Sequence, residues 1–156
     1  MPSRVYLSLP QGHELPDALL EEATHEVLRA EGVGDGEFSV TFLEDGPIRD
    51  LNIRWRGHDW VPDVLSFALH DSGESPIGDI YVGMNQAARQ AREHDVPIHE
   101  ELVRLVVHGV LHVLGYDHPE AEDRNHAELY QRQEALLRRI LSSRRDGSPS
   151  SEGPEE

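Results

Sequence analysis

The stretch IHEELVRLVVHGVLHVL, from Ile98 to Leu114, constrains this chain more than any other. Between Leu105 and Leu114 every residue except His108, Gly109 and His112 is valine or leucine. A helix that is apolar nearly all round has no face to give to water and must be buried. The pattern therefore predicts a central helix, opened by Pro97, around which the other elements pack. Glu100 and Glu101 suit its first turn, where the helix dipole favours acids. Two imidazoles on so apolar a helix need a reason. His108 and His112 stand at i and i+4, so they share one face a turn apart.

The segment continues to HGVLHVLGYDH. Gly115 can take the left-handed conformation that ends a helix and reverses the chain. Tyr116 and Asp117 then carry His118 back toward the two helical rings. A single buried histidine is ordinarily a hydrogen-bonded core residue. Three converging imidazoles instead call for a shared cation or outside partners. With no cysteine in the chain, thiolate sites, disulfides and a cysteine nucleophile are excluded, and any metal must be held by His, Asp or Glu. The expectation is one Zn2+ per chain on His108, His112 and His118, with a fourth position open, as in catalytic zinc sites. Asp117 reads equally as a partner to a ligand imidazole or as an ion-paired loop residue. The remaining histidines (13, 25, 58, 70, 94, 99 and 126) lack this geometry and read as surface or incidental.

The same register occurs in the metzincin peptidase motif H-E-x-x-H-x-x-G-x-x-H, with one difference. Gly109 stands where those enzymes place the glutamate that moves the proton to the leaving amine. Without that carboxylate a metallopeptidase is the weaker reading. Phosphodiester cleavage mainly requires charge stabilisation on phosphoryl oxygens, which a metal and an arginine can supply. The candidate arginine is Arg56, in LNIRWRGHDWVPDVLSF; by itself it reads equally well as a solvent-facing or ion-paired residue.

Alternating apolar positions predict strands at Arg4–Leu9, Glu37–Leu43, Val64–His70 and Ile77–Met84, the last two joined by the turn-rich DSGESP. Helices are expected at Pro16–Ala30, Ile48 to about Arg54, Asn85 (as cap) to about His94, from Pro97 through the histidines, and Pro119–Leu141. Asp79 reads as a polar cleft residue or, preferably, as part of the strand geometry. Four strands among helices that do not alternate strictly suggest an α+β or mixed α/β class. One domain is expected over residues 1–141, with 142–156 a disordered polar and acidic tail.

The net charge is −16, with 30 acidic residues against 14 basic ones, all arginine. Lysine-based Schiff-base and P-loop chemistry is thereby excluded. The overall sign repels nucleic acid, although salt screening lets a local arginine outweigh distant acids. No apolar run is long enough to span a membrane, and the N-terminus lacks a signal peptide's apolar centre, so a cytoplasmic location is expected.

Three blocks together resemble one family. HGVLHVLGYDH preceded by ELVRLVV is similar to the H-G-x-L-H-L-x-G-Y-D-H signature of the YbeY endoribonucleases, the bacterial rRNA maturation factors. Leu51–Phe67 resembles their LN-x-x-[aromatic]-R-x-x-D block followed by DVLSF, and Gly78–Ile80 their GDI. The chain departs from the pattern at Val61-Pro62, where the family usually has Pro-Thr, and at Ala68, where it commonly has proline. The resemblance covers about Val5 to Leu141 and implies a small α+β fold, a mixed four-stranded sheet packed with helices and the metal site at the C-terminal end of a central helix. It implies His108, His112 and His118 as zinc ligands and Arg56 as the functional arginine that handles RNA phosphate. The implied activity is a zinc-dependent endoribonuclease specific for single-stranded RNA, acting in 16S rRNA 3′-end maturation and ribosome quality control, with the small ribosomal subunit as partner. The alternative is a non-catalytic, zinc-stabilised ribosome assembly factor.

Overall fold

The computed structural model describes residues 3–10, 12–117 and 125–147. Strands β1 (Arg4–Ser8), β2 (Glu37–Leu43), β3 (Val64–Ala68) and β4 (Ile77–Gly83) form one sheet in the order β1-β2-β4-β3. The first three of these in space run parallel, and β3 closes the edge antiparallel to β4. Five helices accompany them: α1 (Asp17–Ala30), α2 (Asp45–Arg56), α3 (Met84–Glu93), α4 (Ile98–Val113) and α5 (His126–Gly147). This is the expected α+β class with a mixed four-stranded sheet. Along β2 the alternation holds in full, with Phe38, Val40 and Phe42 buried between half-buried neighbours.

Helix α4 is the central helix. It lies against β3 and β4 and is flanked by α1, α3 and α5. Its valines and leucines are buried on every side, as an all-round apolar sequence requires. Two small residues set how closely it approaches the sheet. A Cβ built on Gly109 would stand 2.7 Å from Ile80 Cγ2, and one on Gly78 would stand 2.6 Å from Val113 Cγ1. A glycine of the helix thus receives an isoleucine of the strand, and a glycine of the strand receives a valine of the helix. Residue 109 therefore points at the sheet, which is why a glutamate does not fit there. The helix ends in a Schellman arrangement: Gly115, with φ of 103°, donates to His112 O, and Tyr116 N donates to Leu111 O.

Several element boundaries differ from expectation. Helix α2 begins at Asp45, so Gly46 and Pro47 form its first turn rather than a preceding loop. Proline costs nothing there because first-turn N–H groups have no partner within the helix. Asn85 does not cap its own helix; its Oδ1 accepts the Asp45 N–H at 3.0 Å, and so serves the start of α2. Helix α5 starts at His126, because Asn125 accepts the Glu128 N–H through its side chain at 3.0 Å and caps it. The expected start at Pro119 lies outside the described residues. At the other end α5 continues through Gly147, since no glycine or proline interrupts SSRRD, so the part of the expected tail from Ser142 to Gly147 is helical. The rest of that tail, 148–156, lies outside the described residues.

Replacing Gly109 with alanine tests the close approach of α4. Alanine ordinarily gains about 1 kcal/mol over glycine inside a helix. Overpacking against Ile80 costs about 1–3 kcal/mol and outweighs it. Urea denaturation should show a lower midpoint for Gly109→Ala; a higher one would mean the helix has room to spare.

Candidate active site

A cleft of about 780 Å³ opens between the C-terminal half of α4, the end of α2 and the edge strand β3. His108 and His112 line it from α4, Arg56 and Trp55 from α2, and Ser66 and Phe67 from β3. The two imidazoles are 4.6 Å apart between ring centroids, inclined at 66°. They share a face, as their spacing predicts. Arg56, 52 residues before His108 in the sequence, enters the same cleft.

Each of these side chains is held by a different element. Arg56 donates from Nη2 to Ser66 O at 2.8 Å, and its Cζ lies 4.8 Å from the centroid of the Phe67 ring. Because β3 is an edge strand, its outward carbonyls lack a strand partner, and the guanidinium takes one of them. This leaves further N–H donors of the fork for a ligand.

His108 is held from α5. Its Nδ1 lies 2.7 Å from Gln133 Oε1. The orientation of that amide follows from its other end, where Nε2 donates to Glu134 Oε2 at 3.0 Å. A carboxylate accepts only, so the amide nitrogen faces Glu134 and the oxygen faces His108. The imidazole must then donate from Nδ1, which leaves Nε2 with its lone pair on the cleft side. Glu134 is fixed in turn by Arg104 Nε at 2.9 Å, and Arg104 also donates to Glu101 at 2.6 Å. Glu101 is 2 % exposed, and Gln90 of α3 donates to its other oxygen at 2.8 Å. A buried carboxylate stripped of its partner costs roughly 3–5 kcal/mol, so Arg104 locks α3, α4 and α5 together around His108. Glu101 reads in the sequence as a dipole-favoured first-turn acid; its partners make it a core residue.

Burial lowers the pKa of His112 below the ordinary imidazole value, and His108 and Arg56 push the same way. Asp117 and a hydrogen bond with the Tyr116 backbone oppose them without prevailing. His112 is accordingly held neutral at pH 7, the form that can ligate a metal. Asp117 itself is left-handed, with φ of 59°, lines the cleft, and meets His126 Nδ1 at 3.4 Å. Asp117 thus contacts a histidine of α5, and its charge also acts on His112 in the cleft. His118, the third expected ligand, lies outside the described residues. Among the described residues no cluster of three or more His, Cys, Asp or Glu side chains forms a metal cage, and His108 with His112 is a pair.

Asp79 accepts from Ser39 Oγ at 2.7 Å across the β2–β4 pairing, and it also lines a small pocket with Trp55, Phe67 and Tyr81. Sequence reasoning missed three residues here. His58 is not incidental, since its ring lines the cleft stacked on Trp60. Gln133 is invisible without the packing of α5 on α4. Trp60 gave a signal, as a second tryptophan beside Arg56 in the sequence.

The fold and cleft together define a class: a small α+β domain carrying a helix-borne histidine pair and an arginine in one cleft beside an edge strand. The chain belongs to the endoribonuclease YbeY family, whose model matches residues 10–141. It is 40 % identical over 134 residues to "Endoribonuclease YbeY" of Pelotomaculum thermopropionicum, covering 81 % of this chain and 87 % of that one. The protein of the same name from Moorella thermoacetica is 40 % identical over 140 residues, covering 82 % and 88 %. Among solved structures, the solution structure of TM1509 from Thermotoga maritima matches with a TM-score of 0.65 at 30 % identity, covering 98 % of this chain and 99 % of that one. Among the described residues no helix is long and apolar enough to cross a membrane.

Two expectations test the support around His108. In nitrogen-detected NMR of the metal-free protein, His108 should carry its proton on Nδ1, and Gln133→Leu should give a mixture of tautomers; an unchanged spectrum would show that Gln133 does not set the ring. The second concerns acid. Burial raises the Glu134 pKa, but hydrogen bonds from Arg104 and Gln133 together with the Arg104 charge hold it below the ordinary carboxylate value. Its contribution to stability is therefore present in full above that ordinary value and lost as pH falls through the depressed folded one. Glu134→Gln should flatten this part of the acid limb of a stability–pH curve.

Proposed function

We propose that this chain is a zinc-dependent endoribonuclease that cuts single-stranded RNA, acting in the cytoplasm in 16S rRNA 3′-end maturation and ribosome quality control at the small ribosomal subunit. The observation that carries the reading is the shared cleft. An arginine with donors to spare faces the same space as two histidines whose ring nitrogens suit a divalent transition ion. Family membership, with relatives named as endoribonucleases, supports RNA as the substrate.

The donor chemistry fits zinc. His112 is held in the neutral form, His108 has its ring orientation set by Gln133, and the chain has no thiolate to offer instead. His108, His112 and His118 would hold the ion. When bound, it supplies Lewis-acid charge to a phosphoryl oxygen and makes water more acidic. Arg56 binds the phosphate through the N–H groups that Ser66 leaves over and offsets the charge that gathers on its oxygens as the P–O bond breaks. Its place against Phe67 and the β3 carbonyl means that little reorganisation is needed when the phosphate arrives. Gly109 disfavours a peptidase, because the motif then lacks the carboxylate that passes a proton to the leaving amine, and a side chain built at position 109 would run into Ile80 of the sheet.

An RNA-cleavage assay tests this, with zinc-loaded protein and a single-stranded RNA carrying a 16S-like 3′ end. The wild type should cut. Arg56→Ala should lose roughly 10²-fold or more in rate, as for other transition-state charge donors, and Arg56→Lys should not restore it, lacking the planar fork. His112→Ala and chelation should both stop cutting. A 2′,3′-cyclic phosphate at the new end would assign the attack to the RNA 2′-hydroxyl, and its absence to water. Pure, zinc-replete protein that binds the RNA and leaves it whole would overturn the enzyme reading in favour of an assembly factor.

A further inference from the structure

The cleft carries a second feature that phosphate chemistry does not use. The His58 and Trp60 rings stack at 4.3 Å between centroids with planes 14° apart, on the loop that joins α2 to β3. Trp60 is nonetheless 57 % exposed, and Trp55, one residue before Arg56, is 64 % exposed. An indole left in water forgoes the roughly 2–3 kcal/mol that burying a large apolar side chain would yield, so a loop free to move would fold it away.

This loop is tied down. Asn52, 1 % exposed, donates its side-chain amide to Trp60 O at 3.0 Å, and its own backbone carbonyl accepts the His58 N–H at 3.2 Å. Both members of the stack therefore hang from one buried asparagine. Between them, Asp59 is paired with Arg49 of α2 at 2.7 Å. The turn out of α2 is made by Gly57 in the left-handed region, with φ of 73°. Exposed rings on a fastened loop, at the wall of a cleft that also holds a phosphate-binding cation, make a surface prepared for a flat ligand.

We propose that the His58–Trp60 stack is a nucleobase platform, which takes one unpaired base of the RNA next to the phosphate held by Arg56. His58 backs one face of the indole and a base takes the other. Stacking needs only a π-face, so this subsite accepts any base but requires it to be out of a duplex. It gives the cleft a physical reason to prefer single strands, and it adds affinity that does not depend on charge in a protein whose net charge of −16 opposes nucleic acid. The inference rests on the endoribonuclease reading above and deepens it.

The test is binding rather than turnover, by fluorescence anisotropy with chelator present and the full chain. Three probes are used: a labelled single-stranded oligoadenylate, a fully abasic ribose-phosphate oligomer of equal length, and an RNA duplex. Wild type should bind the oligoadenylate more tightly than the abasic strand or the duplex. Trp60→Ala should weaken oligoadenylate binding about 5- to 100-fold, the range for loss of one stacked base, and leave abasic binding unchanged. Trp60→Phe should recover most of the loss, which a purely structural role for the loop would not predict. If Trp60→Ala binds oligoadenylate as wild type does while the wild type cuts RNA, the platform is overturned and the endoribonuclease reading stands. If the wild type neither binds nor cuts single-stranded RNA, both fall.

Discussion

The close seating of α4 on β4 is the contact on which the rest of this protein depends. Gly109 lets Ile80 into the helix surface, and Gly78 lets Val113 into the sheet. The reciprocal exchange of small and large side chains brings the helix nearer to the strands than two ordinary apolar surfaces would allow. It also decides the rotation of the helix about its axis. With residue 109 against the sheet, the face that carries His108 and His112 is turned to the cleft beside β3. The glycine that distinguishes this motif from the peptidase pattern is thus first a packing residue, and its chemical consequence follows from its mechanical one.

A polar scaffold stands behind the histidines. Glu101, Arg104, Glu134 and Gln133 form a connected set of hydrogen bonds that ends on His108 Nδ1, with Gln90 joining α3 to the same set. In a low-dielectric setting such a set is stable when each member has its partner and costly when one is missing. Its presence explains why Glu101 and Arg104 sit on a helix whose buried positions are mostly valine and leucine. It also makes the direction of the His108 lone pair a property of three helices packing together, not of the histidine alone. On the opposite wall, the edge position of β3 supplies the Ser66 carbonyl that holds Arg56, and buried Asn52 supplies the anchor for the loop that follows.

Much of this was legible in the sequence, because the signals were local. The strand alternation of Glu37–Leu43, the all-round apolar helix after Pro97 and the helix-ending glycine at 115 each reflect backbone periodicity or a single φ angle, and all three appear as read. The boundaries that moved did so for identifiable reasons. Helix α2 starts early because its first N–H is satisfied by Asn85 from another helix, and α5 starts at His126 because Asn125 caps it there. His58 reads as an incidental surface residue because a histidine two positions before a tryptophan carries no pattern of its own; the stack forms only once the turn at Gly57 brings the loop back onto Asn52 of α2.

The sequence by itself determined that a helix bearing His108 and His112 on one face would lie at the centre of an α+β domain, since that follows from the periodicity of apolar residues and from i, i+4 geometry. Its ordered motifs likewise sufficed to identify the family. Only the tertiary structure decided that Arg56 shares the cleft with those histidines, that Gln133 selects the His108 tautomer, and that Trp60 is held exposed by Asn52. Each of these is a contact between residues on different elements, and the register that makes it is set by how the helices and the edge strand pack, a long-range outcome that no local pattern encodes.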